Sequence, residues 1–438
     1  MSQTDLGAFE SGTDEGADDG GDRPAAEARA VAGSSGATNA AEVDTSEQLF
    51  PAVEETVEMA VMQVDYTIEG RGDDEYPIIH VFGRTAEEDL VHAKVFEFKP
   101  YFYAPTDNLT EDRLQGYERI TDWEETNDEG DPYESIRGEQ LTKIFGQTPR
   151  DVGQMRDEFD HYEADILFPN RLLIDKDITS GVRVPVRREA EGEPIRVPHE
   201  EIEAVDASAE PRVNTFDIEV DDRQGFPEDG EETIVCLTSH DSYADEYITW
   251  LYDPPEGIDP PEALAAYDPI EDDFDADVRV FEEEEAMLEA FVDYIEETDP
   301  DLLTGWNFDD FDAPYFLDRL EELQRPHHAY DLSIERLSRV NEVWRNNWQG
   351  PNIKGRVVFD LLYAYQRTKF TELDSYRLDA VGEQELGVGK ERYPGDIGDL
   401  WEDDPERLLE YNLRDVELCV ELNEQQEIIP FWQEVASF

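Results

Sequence analysis

The sequence has only two cysteines, Cys236 and Cys419, among 438 residues. Each lies in an apolar run, and no Cys/His spacing suits zinc, so neither a disulfide framework nor a zinc module is expected. Basic residues are scarce: 35 Lys+Arg stand against 111 Asp+Glu, a net charge of −76 at pH 7. The acid runs along the whole chain and is not confined to a tail. A compact fold with this charge repels itself at low salt. At molar salt the Debye length falls to about 3 Å and the repulsion is screened. The composition therefore reads as that of a halophile's cytoplasmic protein, from an archaeon that accumulates salt. No run approaches the ~18 continuous apolar residues of a membrane span, and the N-terminus lacks the basic-then-apolar pattern of a signal peptide. No membrane partner is expected.

What is present begins with Thr215-Phe-Asp-Ile-Glu-Val220. A β-branched and aromatic run of this kind reads as a buried strand. Residues i and i+2 of a strand share a face, so Asp217 and Glu219 stand side by side in a sheet core. Two buried carboxylates are costly unless a cation joins them. Carboxylate oxygens suit Mg2+ or Mn2+.

A second acidic motif lies in Gly305-Trp-Asn-Phe-Asp-Asp-Phe-Asp-Ala-Pro-Tyr-Phe316. A short strand ends near Thr304, and Asn307 is expected to fix the following turn by bonding to nearby backbone. Pro314 suits the first turn of a helix, which puts Asp312 at its N-terminus. By itself Asp312 reads as only a helix cap. The third motif is Tyr411-Asn-Leu-Arg-Asp415. Asp404-Pro405 is a cap followed by proline at the first helical position. Leu409, Leu413, Val416 and Val420 form an apolar stripe. Tyr411 and Asp415, four apart, are neighbours on another face.

In order and spacing, Phe216-Asp-Ile-Glu219, Asn307-x-x-x-Phe311-Asp312 and Tyr411-x-x-x-Asp415 resemble the three motifs of the 3′→5′ proofreading exonuclease in family B DNA polymerases. Gly355-Arg-Val-Val-Phe-Asp360, Tyr376-Arg-Leu-Asp-Ala-Val381 and Leu386-Gly387 extend the resemblance. Upstream, Lys99-Pro-Tyr-Phe-Tyr103 and Phe168-Pro-Asn-Arg-Leu-Leu-Ile-Asp175 are similar to the N-terminal domain of the archaeal enzymes.

The resemblance implies an α/β architecture, a ribonuclease H-like exonuclease domain beside a smaller α+β N-terminal domain. Residues 1–49, poor in large apolar groups, are expected to be a disordered acidic tail. Residues 58–211 are expected to form the N-terminal domain, with 183–211 as a polar connector. Strands are expected at Val61–Ile68, Pro77–Phe82, Ala93–Phe98 and Glu163–Phe168, and a helix at Arg150–Phe159. Residues 212–425 are expected to form the exonuclease domain, with close-following, antiparallel strands at Val213–Val220, Thr233–Ser239 and Tyr247–Tyr252. Residues 426–438 would begin the segment leading to the palm.

The resemblance also implies a metal-dependent hydrolysis, in which two divalent ions, Mg2+ or Mn2+, serve the attacking and leaving oxygens. Asp217 would touch both ions. Glu219 and Asp415 would complete the nucleophile's site, and Asp312 would hold the second ion largely through water. Tyr411 would orient the attacking water, and Asn307 and Phe311 would shape the pocket for the terminal nucleotides. Asp309 and Asp310 are decoys in this alignment.

Between Leu332 and Phe370 seven bases meet three acids, a net +4, with Trp344 and Trp348 interleaved. This reads as a strand-contacting edge in which Arg345, Lys354 and Arg356 meet phosphate, or as a locally balanced hairpin. In the resembled archaeal enzymes a pocket holds template uracil. Its counterparts here would be Tyr66, Pro100, Tyr101 and Phe102, with Pro149, Asp151, Val152 and Arg156 from Pro149-Arg-Asp-Val-Gly-Gln-Met-Arg156. Ordinary core packing is the competing reading.

The family's polymerase motifs do not follow, so the palm, fingers and thumb are expected to lie outside this chain, which alone would not synthesise DNA. A fragment, a split gene and an interrupted gene all remain open. The expected partners are single-stranded 3′ ends, primer–template DNA, a separately encoded polymerase half and a sliding clamp. The polymerase half would dock on a patch containing Ile428, Ile429, Phe431, Trp432, Val435 and Phe438. A non-catalytic DNA-binding and uracil-sensing module is the alternative, and an acidic scaffold with accidental motifs a third.

Overall fold

The structure, a computed structural model, describes residues 50–436 except 261, 271–273, 325–328, 346–349, 370–372 and 390–392, and leaves the side chains of 434–436 undescribed. The tail 1–49, Trp348, Phe438 and the Val435 side chain thus lie outside the described residues. In the first half of the chain the strands are β1 (Thr56–Glu69), β2 (Tyr76–Arg84), β3 (Leu90–Phe96), β4 (Tyr101–Pro105), β5 (Ile120–Glu124), β6 (Tyr133–Glu134), β7 (Gln140–Gly146), β8 (Gly181–Pro185), β9 (Ile195–Pro198) and β10 (Glu203–Val205). The helices there are α1 (Glu111–Gln115), α2 (Pro149–Met155) and α3 (Phe168–Asp175).

The described residues cluster into two compact units. The smaller gathers Ile68–Pro77 and Lys99–Asp165, the larger Val53–Thr67, Ile78–Phe98 and the chain from Ile166 onward. In the smaller unit β4, β7 and β5 form a sheet, with β6 also paired to β7. One face of that sheet packs Phe102, Ala104 and Ile144 against Val152 and Met155 of α2. Helix α2 starts in a reciprocal cap: Thr148 accepts from the Asp151 N–H, and Asp151 accepts from the Thr148 N–H.

The larger unit holds two six-stranded sheets. The first, β10-β8-β1-β2-β3-β9, buries a Val/Ile-rich face under α3. Two expectations change here. Residues 183–211 carry part or all of β8, β9 and β10 and so do more than connect. No strand forms at Glu163–Phe168: Glu163 is left-handed at φ 58°, and Phe168-Pro169 opens α3. A proline in the first turn favours a helix start over a strand end.

The second sheet follows the order β14-β13-β12-β11-β15-β18. It is built from β11 (Val213–Val220), β12 (Ile234–Asp241), β13 (Glu246–Tyr252), β14 (Ala276–Phe281), β15 (Leu302–Gly305) and β18 (Val357–Asp360). A separate small hairpin pairs β16 (Val343–Trp344) with β17 (Asn352–Ile353). Strands β11, β12 and β13 pair antiparallel, as their short connections require. On one face Phe216, Ile218 and Leu303 pack under α4 (Glu284–Thr298) and α5 (Asp312–Leu323). On the other, Val235, Cys236 and Leu251 pack under α8 (Ile397–Asp403) and α9 (Pro405–Gln426). The expected stripe of α9 is buried, but so are Asn412, Asp415 and Glu417.

Helices α6 (Leu361–Thr368) and α7 (Leu378–Glu385) complete the packing around the C-terminal segment. Glu427 adopts a left-handed φ of 48°, and the chain continues as α10 (Ile428–Ala436). Ile428 and Ile429 are buried in the same cluster, and the Trp432 indole N–H donates to the Ala364 carbonyl at 3.4 Å. Among the described residues of the expected docking patch, Ile428, Ile429 and Trp432 therefore pack onto this chain and Phe431 is exposed.

Candidate active site

The site forms where β11 runs past its neighbour. Parallel pairing of β15 with β11 covers only Val213 to Thr215. At Gly305 the backbones approach so closely that a Cβ would lie 2.7 Å from the Phe216 carbonyl oxygen. Beyond that point the Ile218 N–H donates to Asp312 Oδ1 at 3.3 Å. The loop that brings Asp312 there turns at Asn307, which is left-handed at φ 62°. The Asn307 carbonyl accepts from the Asp310 and Phe311 N–H groups. The turn thus rests on the backbone of Asn307, where side-chain bonding had been expected.

Asp217 and Glu219 project from β11 toward α9, as the strand period requires. Single carboxylate oxygens of Asp217, Glu219 and Asp415 lie within 4.8 Å of one another. Asp415 comes from the end of the third turn of α9, and its side chain is buried. Tyr411 lies one turn earlier on the same helix and is half-buried. Burial first, and the Asp217 charge next, push the Asp312 carboxyl well above the usual carboxylate range. Like charges gathered in this way fit a divalent cation, and an all-oxygen donor set fits Mg2+ or Mn2+. The chain thus brings together the four carboxylates named from the sequence.

Three further residues belong to this place. Asn412, fully buried, donates from Nδ2 to Asp217 Oδ2 at 2.7 Å. Burial, then the Glu219 and Asp217 charges, hold the Cys236 thiol well above its usual range, so it remains S–H. Phe226 is 77% exposed, with its ring 5.8 Å from that of Phe311. Phe311 in turn stacks on Tyr315. The signals were present: Asn412 interrupts the apolar stripe of α9, and Phe226 is the lone aromatic residue in a polar stretch.

The basic segment needs correction. Lys354 is 1% exposed: its Nζ donates to the Tyr66 carbonyl at 2.6 Å, pairs with Glu342 and lies 3.9 Å from the Trp344 ring centroid. Arg356 is equally enclosed, bonding Asp299 at 2.6 Å and the Leu337 carbonyl at 2.8 Å. Neither presents a cation to a DNA strand. Arg345 is exposed and pairs with Asp318 and Glu321. In a chain so rich in acid, each of these bases meets a carboxylate of its own chain.

Seven of the eight residues compared with a uracil pocket lie in the smaller unit. Tyr66 belongs to the larger unit, with its ring against Phe168 and Trp344. Tyr101 and Phe102 are successive strand residues and point to opposite faces of β4. Phe102 and Val152 fill the core, whereas the Tyr101 ring lies 4.0 Å from Lys143 Nζ. Pro100 is buried at the start of β4, and Pro149 and Asp151 open α2. Arg156 pairs with Asp165 at 2.5 Å.

The larger unit thus combines a six-stranded mixed sheet sandwiched between helices with an acidic cluster, Asp217, Glu219 and Asp415, that could hold a metal ion and that Asp312 adjoins. The profile for "DNA polymerase family B, exonuclease domain" matches residues 159–381, just over half of the chain, and the chain belongs to that family. It is 30% identical over 235 residues to the DNA-directed DNA polymerase of Escherichia phage RB69, covering 50% of this chain and 26% of that one. It is 28% identical over 387 residues to a DNA polymerase of Pyrococcus glycovorans, covering 83% of this chain and 42% of the relative. The chain therefore spans less than half the length of these relatives. The solved family B DNA polymerase of the hyperthermophilic archaeon Pyrobaculum calidifontis superposes with a TM-score of 0.65 at 24% identity, over 87% of this chain and 47% of that one. That likeness concerns the fold, which in the exonuclease domain is ribonuclease H-like. Among the described residues no helix is long and apolar enough to cross a membrane.

Proposed function

We propose that this chain carries the metal-dependent 3′→5′ proofreading exonuclease of a family B DNA polymerase acting in replication. One observation carries the reading: residues from two distant segments, Asp217 and Glu219 on β11 and Asp415 on α9, converge within 4.8 Å. Asp217, Glu219, Asp415 and Asp312 would hold two Mg2+ or Mn2+ ions. When bound, these supply Lewis-acid stabilisation of the oxygens around phosphorus. The chain's own groups do the rest. Tyr411 orients the attacking water, Asn307 shapes the loop, and Phe311 with Phe226 offers rings to unstacked bases at a 3′ end. Single-stranded ends and primer–template DNA are the substrates. A polymerase half and a sliding clamp are the partners, in the cytoplasm of a salt-accumulating archaeon whose ionic strength screens a charge of −76.

The test uses this chain in molar KCl with Mg2+ and a strand labelled at its 5′ end. Stepwise shortening from the 3′ end is expected. Asp217→Ala combined with Glu219→Ala should lower the rate by well over about 100-fold, since disturbing only the groups that support metal ligands costs about 10–100-fold. Strand binding should persist. A double variant that digests as fast as the parent places the chemistry elsewhere. A parent that binds strands without shortening them favours the non-catalytic module.

A further inference from the structure

Two buried groups, Asn412 and Cys236, form a chain of contacts with the half-buried Asp217 behind the candidate active site. Asn412 Nδ2 donates to Asp217 Oδ2 at 2.7 Å and lies 3.4 Å from the Asp217 carbonyl oxygen. On the far side of the amide, the Cys236 Sγ–H donates to Asn412 Oδ1 at 3.5 Å. Asn412 and Cys236 are both fully buried. Cys236 stands opposite Glu219 in the β11–β12 register.

The order of donors and acceptors has a consequence. A carboxylate crowded by Glu219, Asp415 and Asp312 is driven away from them by like-charge repulsion. An arginine or lysine at position 412 would hold Asp217 in place but would also neutralise it and compete with a cation. An amide supplies a donor without net charge. Its two ends are not equivalent: turned over, its oxygen would face the Asp217 carboxylate. The S–H donor on Oδ1 sets the amide the right way round. Outer groups that orient a metal ligand commonly carry about 10–100-fold of the site's metal affinity.

We propose that Asn412 and Cys236 are positioning residues, a neutral clamp that holds the Asp217 carboxylate ready for a divalent cation and thereby sets the affinity of the site for metal. This rests on the metal-dependent reading above. The clamp also accounts for a buried cysteine on β12 that otherwise has no role in the site.

The experiment is an isothermal titration of Mn2+ into the full chain in molar KCl, with circular dichroism on each variant. The parent is expected to bind Mn2+. Asn412→Ala should weaken that binding by about 10–100-fold. In digestion assays it should raise the Mg2+ concentration for half-maximal rate more than it lowers the rate at saturating Mg2+. A merely structural role would not produce that split. Cys236→Ser keeps a donor and should retain parental Mn2+ affinity, whereas the near-isosteric Cys236→Val should weaken it several-fold. Equal Mn2+ affinity in folded Asn412→Ala and the parent overturns the clamp. If Asn412→Ala does not fold, equal affinity of Cys236→Val and Cys236→Ser overturns it instead. A parent that binds no Mn2+ overturns the metal-dependent reading itself, and the clamp with it.

Discussion

The carboxylates at the end of β11 and the bases of residues 332–370 are both dense charge clusters in the larger unit, and the fold treats them in opposite ways. Asp217, Glu219 and Asp415 are drawn together as like charges. Six of the seven bases are instead built into ion pairs with carboxylates of their own chain. Arg339 meets Asp299 at 2.8 Å and Asp301 at 3.0 Å, Arg356 meets Asp299, and Arg336 meets Asp293 at 2.5 Å and Glu296. Like-charge clustering costs free energy and persists where a ligand compensates it; opposite-charge pairing needs no ligand. In a chain with three acids for every base, a local excess of arginine therefore marks a structural node more readily than a nucleic-acid surface.

Salt should break this comparison most severely. Exposed carboxylates repel one another less as ions screen them, whereas enclosed pairs such as Arg84–Asp301 feel salt far less. Below about 0.5 M KCl, where screening weakens, circular dichroism and melting should report a loosened fold. An unchanged spectrum and melting temperature down to about 50 mM, where the Debye length exceeds 10 Å, would remove the halophile reading and leave the site untouched.

Arg356 sharpens it next. Breaking a buried ion pair from one side leaves a charge without compensation and costs about 3–5 kcal/mol. Arg356→Met should lose roughly that much stability in chemical denaturation, while the affinity of the folded fraction for single-stranded DNA stays at the parental value. The opposite pattern, intact stability with weaker binding measured by fluorescence anisotropy, would restore Arg356 to a DNA-facing role.

The same contrast explains what could be read from the sequence. Strand β11, the start of α5 near Pro314 and the start of α9 at Asp404-Pro405 follow from local rules: period two, proline in a first turn and a side-chain cap. Placing Asp217 beside Glu219 required only the strand. Long-range partners follow no such rule. Lys354 finds the Tyr66 carbonyl 288 positions away, and Asn412 finds Asp217 195 positions away. The tail misled for a related reason, since Ile428 and Ile429 looked uncovered only because α6 and α7 could not be placed over them.

The smallest effect concerns the acids set aside as decoys. Asp309 lies beside Asp360, whose Oδ2 accepts the Asp309 N–H at 3.0 Å. Burial first, then the Asp360 and Asp310 charges, raise the Asp309 carboxyl to about 6. A folded value above the unfolded one means that the folded state binds more protons between about pH 4 and 6, so this group costs stability as pH rises through that window. Asp309→Asn removes the charge and keeps the shape. It should stabilise the protein at pH 7 by about 1 kcal/mol, a fraction of what a full shift of this size would give. The gain should shrink as pH falls below 6 and vanish near pH 4, where the parent's own carboxyl is protonated. Nuclease rate and Mn2+ affinity should stay at parental values, in contrast to Asp217→Ala. Melting curves from pH 4 to 8 on both proteins decide it. A gain that is flat with pH means that the charge of Asp309 is not the cause, and a lost nuclease rate means that Asp309 belongs with the acids of the site.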